Sequence, residues 1–375
     1  SNTANSTGNF NVRSTYYDAY SKTLSGNAGV RWRTTTGPIR HTLTAGVASM
    51  KQEAGNAYIQ GDAVDSNLYD PSPLAGISAA RTDPKRASDS TLTSFAVSDT
   101  MGFFDDRLLA TLGIRRQNVD VQSYSTTTGA KTTRYDADAT SPLVGLVYRL
   151  NGDTSIYANH ATGLSPGQIV GPSYANAGVV LAPFKSKQYE LGVKARLGRI
   201  TTTASVFQIT RPSGVVDTVT NTLGYDGEQR NRGLELSAYG EFVPGLRGIA
   251  SATFLRPDLT HTAGGTNDGK EAAGVPDKRL SVGLDWDAPQ VRGLAFNGRV
   301  IYTSGAWLTG ANSLRFNSWT RYDVGARYVT EVAGKPVVLR AIVENLFDKS
   351  YWLTAGTYVA VGAPRTVILS ASIDF

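Results

Sequence analysis

The connections between strand-like segments alternate between short and long along the chain. Short ones, such as LNGDT (150–154) and VPGLRG (243–248), carry the Gly, Pro, Asn and Asp residues that tight turns need. The long polar segments are 54–88, 123–137, 164–185, 212–227, 258–277, 305–316 and 348–362. An up-and-down antiparallel sheet has its tight turns at one end and its long loops at the other. The alternation therefore predicts an all-β, up-and-down sheet.

The segments between these connections alternate apolar and polar residues with period two. In QYELGVKARL, Leu191 and Val193 share one face, whereas Glu190 and Lys194 share the other. We count about 15 such segments. Many run to about ten residues, the length of a tilted membrane strand, whereas strands of soluble sandwiches average about 5 to 6. Tyr and Trp also cluster near strand ends, as they do in the aromatic girdles of transmembrane barrels.

Composition excludes several other classes of protein. The mean hydropathy is −0.21 and no apolar run approaches 18 residues, which argues against a membrane-spanning helix. The chain has no cysteine, and its net charge of +6 is spread without basic clusters, so we expect no nucleic-acid partner. Composition does not separate a transmembrane barrel from a soluble β-rich protein, because a barrel strand also alternates polar and apolar residues.

No constellation of catalytic residues emerges from the sequence. The histidines His41, His160 and His261 are far apart and match no metal-ligand spacing, and no G-x-S-x-G segment is present. We therefore predict that the protein is not an enzyme and supplies no metal ligands.

Several segments together resemble the TonB-dependent siderophore receptors of the bacterial outer membrane. VENLFDKSYW (343–352) is similar to the family's penultimate strand and following loop, and GAPRTVILSASIDF (362–375) to its last strand. LAPFKSKQYELGVK (181–194) and DGEQRNRGLEL (226–236) resemble two further family segments. The combination of GLSPG, RPSG and GAPRT is most similar to receptors of the ferrichrome type.

The resemblance implies a fold and a cellular location. Barrels of this family have 22 strands around a plugged lumen. We therefore expect residues 1–375 to be the C-terminal part of one transmembrane β-barrel domain in the outer membrane, with about 15 strands, short periplasmic turns and long extracellular loops. The plug domain and the first strands would be absent. Phe375 matches the family's terminal assembly signal, so the barrel-assembly machinery and outer-membrane lipid are expected partners.

The resemblance also implies a function, which is energised uptake of a ferric siderophore. TonB would act through the missing N-terminal part, and the siderophore would carry the iron, so no cofactor is expected. Recognition of such a ligand needs aromatic rings and cationic donors near the outer loops. The candidates are Tyr174, Trp307, Arg315, Phe316, Trp319, Tyr351, Trp352 and Tyr358.

Charged residues on the face opposite the apolar one are predicted to line the lumen. A cationic side chain facing lipid near the midplane costs about 2 to 4 kcal/mol, which disfavours the outward face. The candidates are Glu190, Lys194, Arg196, Arg230, Arg232, Glu235, Arg321, Asp323, Arg327, Arg340 and Glu344. They could form a hydrophilic wall that pairs with itself, or they could hold a plug through breakable ion pairs.

Three alternative functions stay open at this point. The receptor could take up another chelate, such as a haem or a cobalamin. The chain could instead belong to a plugless diffusion porin, or to a soluble β-rich adhesin or lectin.

Overall fold

A computed structural model describes residues 4–5, 7–78, 80, 82–171, 173–217, 219–355 and 358–373, apart from the side chains of Ala355 and Tyr358. The described chain is all-β, with a single turn of 3-10 helix at Ala263–Gly265. Within these ranges, no helix has the length and apolar character needed to cross a membrane.

Seventeen strands make up the described fold. They are β1 (Asn9–Thr36), β2 (Ile39–Asn67), β3 (Lys85–Phe103), β4 (Leu108–Tyr124), β5 (Lys131–Arg149), β6 (Thr154–Ser165), β7 (Phe184–Leu197), β8 (Ile200–Asp217), β9 (Thr222–Val243), β10 (Leu246–His261), β11 (Lys278–Asp287), β12 (Leu294–Thr303), β13 (Trp319–Val332), β14 (Lys335–Glu344), β15 (Trp352–Ala355), β16 (Tyr358–Val361) and β17 (Thr366–Ile373).

Fifteen of these strands form one antiparallel sheet in which each strand pairs with the next one along the chain, except that β14 pairs with β17. The order runs from β1 through β14 and ends with β17. The predicted up-and-down sheet of about 15 strands is therefore confirmed. Strands β1 and β17 are its two edges, and no pairing joins them among the described residues.

One face of the sheet is a continuous apolar surface. The strand register places Leu236 opposite Ala252, Ala252 opposite Leu280, and Leu280 opposite Tyr302. Because side chains alternate between the faces of a strand, these residues share one face. Many of the large apolar side chains on this face are exposed, as at Leu369 with 74 % of its surface accessible. Such a large exposed apolar surface is typical of a face that contacts lipid, and we call it the outward face.

Tight turns lie at one end of the sheet, as predicted. The β9–β10 and β13–β14 turns use Gly245 and Gly334, whose φ angles of 82° and 76° suit glycine best. At the other end, the predicted length of several loops is wrong. Strand β2 continues to Asn67, inside the predicted loop 54–88, and β8 and β9 are joined by only 218–221.

The strands are longer than the apolar pattern indicates because backbone pairing continues beyond the lipid-facing segment. In this outer part, polar side chains pair across strands on the outward face. Arg134 on β5 contacts Asp120 on β4 through two hydrogen bonds of 2.9 and 3.0 Å, and Asn118 donates to Asp136 at 2.9 Å. An alternating apolar pattern identifies only the part of each strand that meets lipid.

A second, two-stranded sheet lies in the last long loop, where the sequence predicted only irregular structure. Strands β15 and β16 are antiparallel, with Trp352 opposite Val361 at one end and Ala355 opposite Tyr358 at the other. This hairpin precedes β17, whose described part ends at Ile373. Phe375 lies outside the described residues, and its role as an assembly signal stays a prediction.

Candidate functional site

The loop between β12 and β13 folds back on itself as a small ladder. Trp307 and Arg315 form an antiparallel bridge, and the amide of Phe316 donates to the carbonyl of Ala306 at 2.8 Å. Asn312, with a φ angle of 55°, lies at the bend. The guanidinium of Arg315 lies 5.5 Å from the centre of the Trp307 ring, which is a cation–π geometry. The ladder therefore presents an aromatic ring and a cation side by side.

A hydrophobic cluster joins this loop to both ends of the chain. We call it the mouth cluster; its members are Phe10, Leu68, Ala306, Leu308, Phe316, Trp352 and Val359. Phe316 is only 5 % exposed, and the rings of Phe10 and Trp352 lie 5.8 Å apart. The indole N–H of Trp352 donates to the carbonyl of Leu68 at 2.6 Å. The outer ends of β1 and β2 are thereby packed against the last loop.

Asn345 anchors the start of that last loop and is almost completely buried. Its side-chain amide donates to the carbonyls of Lys349 and Ala363, both at 3.0 Å, and its side-chain oxygen accepts from the Lys349 amide at 2.9 Å. The backbone amide of Asn345 donates to Asp323 on β13 at 2.9 Å. The Asn345 side chain thus joins both arms of the loop, and the backbone amide of Asn345 connects the loop to β13 of the sheet.

Tyr351 and Trp319 stack in the same region, with ring centres 4.2 Å apart. Tyr351 is 6 % exposed. A Cβ atom at position 362 would lie 2.3 Å from the Tyr351 ring, so the ring can pack here only because residue 362 is glycine. Phe316 and Tyr351 therefore support the loops in this arrangement, and direct ligand contact by either one stays a prediction.

The remaining ligand candidates are not all in one place. Among the described residues, no hydrogen bond, ion pair or ring contact joins Tyr174 to the β12–β13 loop or to the last loop. Its loop packs on the β8–β9 hairpin, where the Gln168 amide donates to the Tyr225 hydroxyl at 2.9 Å. Burial raises the pKa of Tyr225. Tyr358 begins β16, but its side chain lies outside the described part of the chain.

Two groups of ion pairs lie on the lumen face of the sheet, which is opposite the apolar outward face. The first group lies toward the end of the sheet that carries the long loops. The side chain of Asp323 is 6 % exposed and accepts from Arg299 at 3.0 and 2.8 Å and from Arg321 at 2.9 Å. Glu344 lies 3.9 Å from each of the two guanidinium groups. The buried Asp323 carboxylate thus connects β12 and β13 to the last loop through the Asn345 amide, and Glu344 adds β14 to the same group of charges.

The second group lies near the tight turns. Arg327 contacts Asp285 at 3.3 Å and Asp287 at 3.4 Å, and Arg247 binds the same two carboxylates at 2.7 and 2.6 Å. Farther along the sheet, Arg196 contacts Asp153 of the β5–β6 turn at 2.5 Å. Five of the eleven predicted lumen charges therefore form ion pairs within the sheet: Arg196, Arg321, Asp323, Arg327 and Glu344.

Of the predicted lumen charges that do lie on the lumen face, four have no ion-pair partner in the part of the chain that the structure describes. They are Glu190, Lys194, Glu235 and Arg340, although Arg340 also contacts the Ser372 hydroxyl at 3.5 Å. Glu190 accepts hydrogen bonds from Tyr157 and Gln188 at 2.6 and 2.8 Å.

Two assignments to the lumen face are wrong. The register between β8 and β9 has no interruption here: Val206 lies opposite Leu234, Gln208 opposite Arg232, and Thr210 opposite Arg230. Arg230 and Arg232 therefore lie on the same outward face as Leu234. The prediction assumed that every cation on a strand avoids the outward face. This penalty applies only where lipid tails meet the strand, and β9 continues beyond that level.

Sequence reasoning also missed two important residues. Arg299 lies on the lumen face of β12, as the alternating pattern indicates, but it was not among the candidates. It donates two hydrogen bonds to Asp323. Asn345 lies in the quoted segment VENLFDKSYW, directly after β14, and its φ angle of 53° is left-handed. Asn adopts this conformation more readily than most residues, so an Asn directly after a strand is a sequence signal for a turn. Neither role could be assigned without the positions of the partners.

We predict that Trp352→Phe loosens the contact between the last loop and the end of β2. The ring is kept, but the Leu68 carbonyl loses its donor, which costs about 1 kcal/mol. Hydrogen exchange of amides 66–70 should then be about fivefold faster. Trp319→Phe is the matched control, because no hydrogen bond from the Trp319 ring occurs among the described residues. Equal exchange in both variants would contradict the assigned role of the indole N–H.

No group of three or more His, Asp or Glu side chains within the described ranges is placed to hold a metal ion. The expectation that the protein supplies no metal ligands stays a prediction.

Comparisons with known proteins agree with this architecture. A family model described as "TonB dependent receptor-like, beta-barrel" matches residues 1–346. The ferrichrome receptor FcuA of Yersinia enterocolitica is 35 % identical over 99 % of this chain and 50 % of its own length. The ferrichrome outer membrane transporter/phage receptor of Escherichia coli is 30 % identical over 91 % of this chain and 47 % of its own. The chain thus spans about half the length of these curated relatives.

A solved structure is similar over nearly the whole chain. The crystal structure of BauA, the ferric preacinetobactin receptor from Acinetobacter baumannii, superposes with a TM-score of 0.82 at 34 % identity. The match covers 98 % of this chain and 56 % of that one. These relatives are named as receptors or transporters, and the family's barrels lie in the outer membrane of Gram-negative bacteria. The chain belongs to the TonB-dependent receptor-like β-barrel family.

Proposed function

We propose that this chain forms part of the wall of an outer-membrane receptor that binds a ferric siderophore outside the cell and admits it by TonB-energised transport. The observation that carries the proposal is the pairing of Arg315 with Trp307 on an outer loop of a receptor-family sheet. The names of the relatives, two of them ferrichrome receptors and one a ferric preacinetobactin receptor, support a ferric chelate as the ligand.

The chemistry of the β12–β13 loop suits such a ligand. Arg315 is exposed and offers charge-assisted hydrogen bonds to the anionic oxygens around the iron, while the flat Trp307 ring supplies an apolar surface. The mouth cluster beneath them holds the loop in place. The siderophore itself would hold the iron, so this proposal needs neither a cofactor nor protein metal ligands, and the protein acts as a transport receptor and not as an enzyme.

We also propose that residues 1–375 are the C-terminal part of one barrel domain, completed by further strands and a plug. Among the described residues β1 and β17 each pair with only one strand, which supports this, since unpaired backbone groups facing lipid are costly. Lys194, Glu235 and Arg340 are then the best candidates for plug contacts, because the other lumen charges, Arg196, Arg321, Asp323, Arg327 and Glu344, already pair within the wall. TonB would engage the protein through a part outside this chain.

Trp307→Ala combined with Arg315→Gln is expected to weaken binding of the cognate ferric siderophore by about tenfold or more, because both a charge-assisted bond and a stacking surface are lost. Binding is measured with iron-loaded siderophore on whole cells, beginning with a ferrichrome-type hydroxamate. Haem and cobalamin, tested in parallel, serve as competing chelates.

Trp286→Ala is the matched control, because this Trp lies on the outward face near the tight turns. It should leave affinity unchanged at equal receptor abundance. Unchanged affinity in the Trp307/Arg315 variant would contradict the proposed site. Energy-independent leakage of small solutes, with no saturable chelate binding, would favour a diffusion porin instead.

A further inference from the structure

A small cavity lies beside the mouth cluster and is separate from the Trp307–Arg315 pair. It encloses about 200 Å³. Its lining comes from the loop before β11, from the β12–β13 loop, from the last loop and from three neighbouring strands. Ala306, Phe316 and Trp352 of the mouth cluster form part of its wall. We call it the Arg279 cavity, after the cation that lines it.

The strand side of the cavity belongs to the lumen face of the sheet. The register places Arg279 opposite Thr303, and Thr303 opposite Trp319. All three line the cavity. Because Leu280 lies on the outward face, its neighbour Arg279 points to the opposite side. A group bound in this cavity would therefore lie on the lumen side of the wall, next to the mouth.

Arg279 has no counter-charge within the described ranges. Its side chain is exposed, and it forms no ion pair or hydrogen bond there. Asp277, two positions earlier, pairs with Lys278 instead, at 3.9 Å. None of the described residues that line the cavity is acidic. The positive charge of Arg279 is thus available to an anion.

The hydroxyl of Thr303 is a second group without a partner. The residue is only 9 % exposed, and its Oγ1 is buried with no hydrogen bond to any described residue. Buried hydroxyl groups in native structures nearly always have a partner. The other hydroxyls of the lining do: Ser304 accepts from the Lys278 amide at 3.1 Å, and Thr354 donates to the Gly274 carbonyl at 2.9 Å. The Thr303 hydroxyl is therefore left for a group inside the cavity.

The remaining walls combine aromatic rings with one more donor. Trp319 and Trp352 line the cavity, and the indole N–H of Trp352 is already bonded to the Leu68 carbonyl. Asn317 adds an exposed side-chain amide. A single water occupies about 30 Å³, so the cavity has room for a larger group. A guanidinium fork with a hydroxyl beside it matches the two oxygens of a carboxylate.

We propose that the Arg279 cavity binds a carboxylate arm of the ferric siderophore. Ala306 and Phe316 in its wall are the chain neighbours of Trp307 and Arg315, so an arm of a chelate that rests on that pair can reach the cavity.

This inference rests on the proposed function and narrows its ligand class. A ferric trihydroxamate without further acidic groups is neutral and offers no charge to Arg279. The ligand is then a ferric siderophore that carries a free carboxylate in addition to its iron-binding groups.

The test compares two forms of one ferric trihydroxamate, the first with a pendant carboxylate and the second with the corresponding primary amide. Binding is measured on whole cells at equal receptor abundance. The wild-type receptor should bind the carboxylate form about tenfold more tightly, as expected for a hydrogen bond to a charged group. Arg279→Gln should remove this preference and leave the affinity for the amide form unchanged.

Two further variants separate charge from shape. Thr303→Val removes one hydroxyl at nearly constant shape and should reduce the preference to about threefold. It also carries the test if Arg279→Gln is not assembled. Arg279→Lys keeps the charge without the fork and should keep part of the preference.

Arg33→Gln is the matched control. Arg33 is an exposed cation on the lumen face, three residues before β1 ends at Thr36, and it forms no ion pair in the described part of the chain. This variant should keep the full preference for the carboxylate form.

The outcomes distinguish this inference from the proposed function. The Trp307→Ala and Arg315→Gln double variant should lose affinity for both forms and keep the preference. Saturable but equal binding of the two forms by the wild type overturns the inference alone. So does an equal loss for both forms in Arg279→Gln, which would indicate that Arg279 only supports the wall. If neither form binds saturably, both proposals fail.

Discussion

Asp323→Ala should release the last loop from the wall and speed hydrogen exchange of amides in 345–355 and 358–365 by about two orders of magnitude. The carboxylate accepts from Arg299, Arg321 and the Asn345 amide, and its side chain is 6 % exposed. Breaking a buried pair by removing one partner costs about 3 to 5 kcal/mol, and here the mostly buried Arg321 would keep only the more distant Glu344, at 3.9 Å, as a counter-charge. Exchange followed by mass spectrometry on the receptor in detergent measures this local opening.

Asp285→Ala is the matched control for that variant. Asp285 also has two arginine partners, Arg247 and Arg327, but it lies near the tight turns and accepts no hydrogen bond from the described part of the last loop. It should leave exchange in the last loop unchanged. If Asp323→Ala behaves like Asp285→Ala, the carboxylate does not connect the wall to the loop, and the role assigned to Asn345 loses its support as well.

The sheet could be predicted from the sequence because a lipid-facing strand leaves a strong local signal. Leu191, Val193 and Leu197 alternate with polar residues, and the following tight turn is marked by Gly198. Strand order then follows from the turns alone, since each strand pairs with the next one. The outer extensions of β2, β8 and β9 were missed because polar strand segments in water need no apolar alternation to stay paired.

The candidate site was less predictable, because its contacts connect distant parts of the chain. The hydrogen bond from Trp352 to Leu68 spans 284 positions, and no local pattern indicates it. Trp307 and Arg315, by contrast, lie in one short loop, and the sequence nominated both. The error at Arg230 and Arg232 has a different cause. Because side chains alternate along β9, Arg230 and Arg232 lie on the same face as Leu234. The free-energy cost of a cation facing lipid applies only inside the membrane, but the prediction applied it to the part of the strand outside.

The lipid-facing belt leads to the second large prediction, at Leu236. This residue lies on the outward face of β9 between Ala204 and Ala252, seven residues from the end of the strand at Val243. That depth is near the middle of the hydrocarbon layer for a strand that crosses it with about 9 to 11 residues. The next residue, Ser237, points to the opposite face, on the same side as Glu235.

Leu236→Lys should therefore lower the free energy of unfolding by about 2 to 4 kcal/mol, since a cation near the midplane loses its hydration. Ser237→Lys places the same charge one residue away on the lumen face and should cost far less. Leu236→Ala separates the loss of the leucine side chain from the effect of the charge. Guanidinium unfolding in lipid vesicles, together with receptor abundance in the outer membrane, measures the difference. If both lysine variants were equally stable, or Ser237→Lys were the less stable, the assignment of the two faces would be wrong.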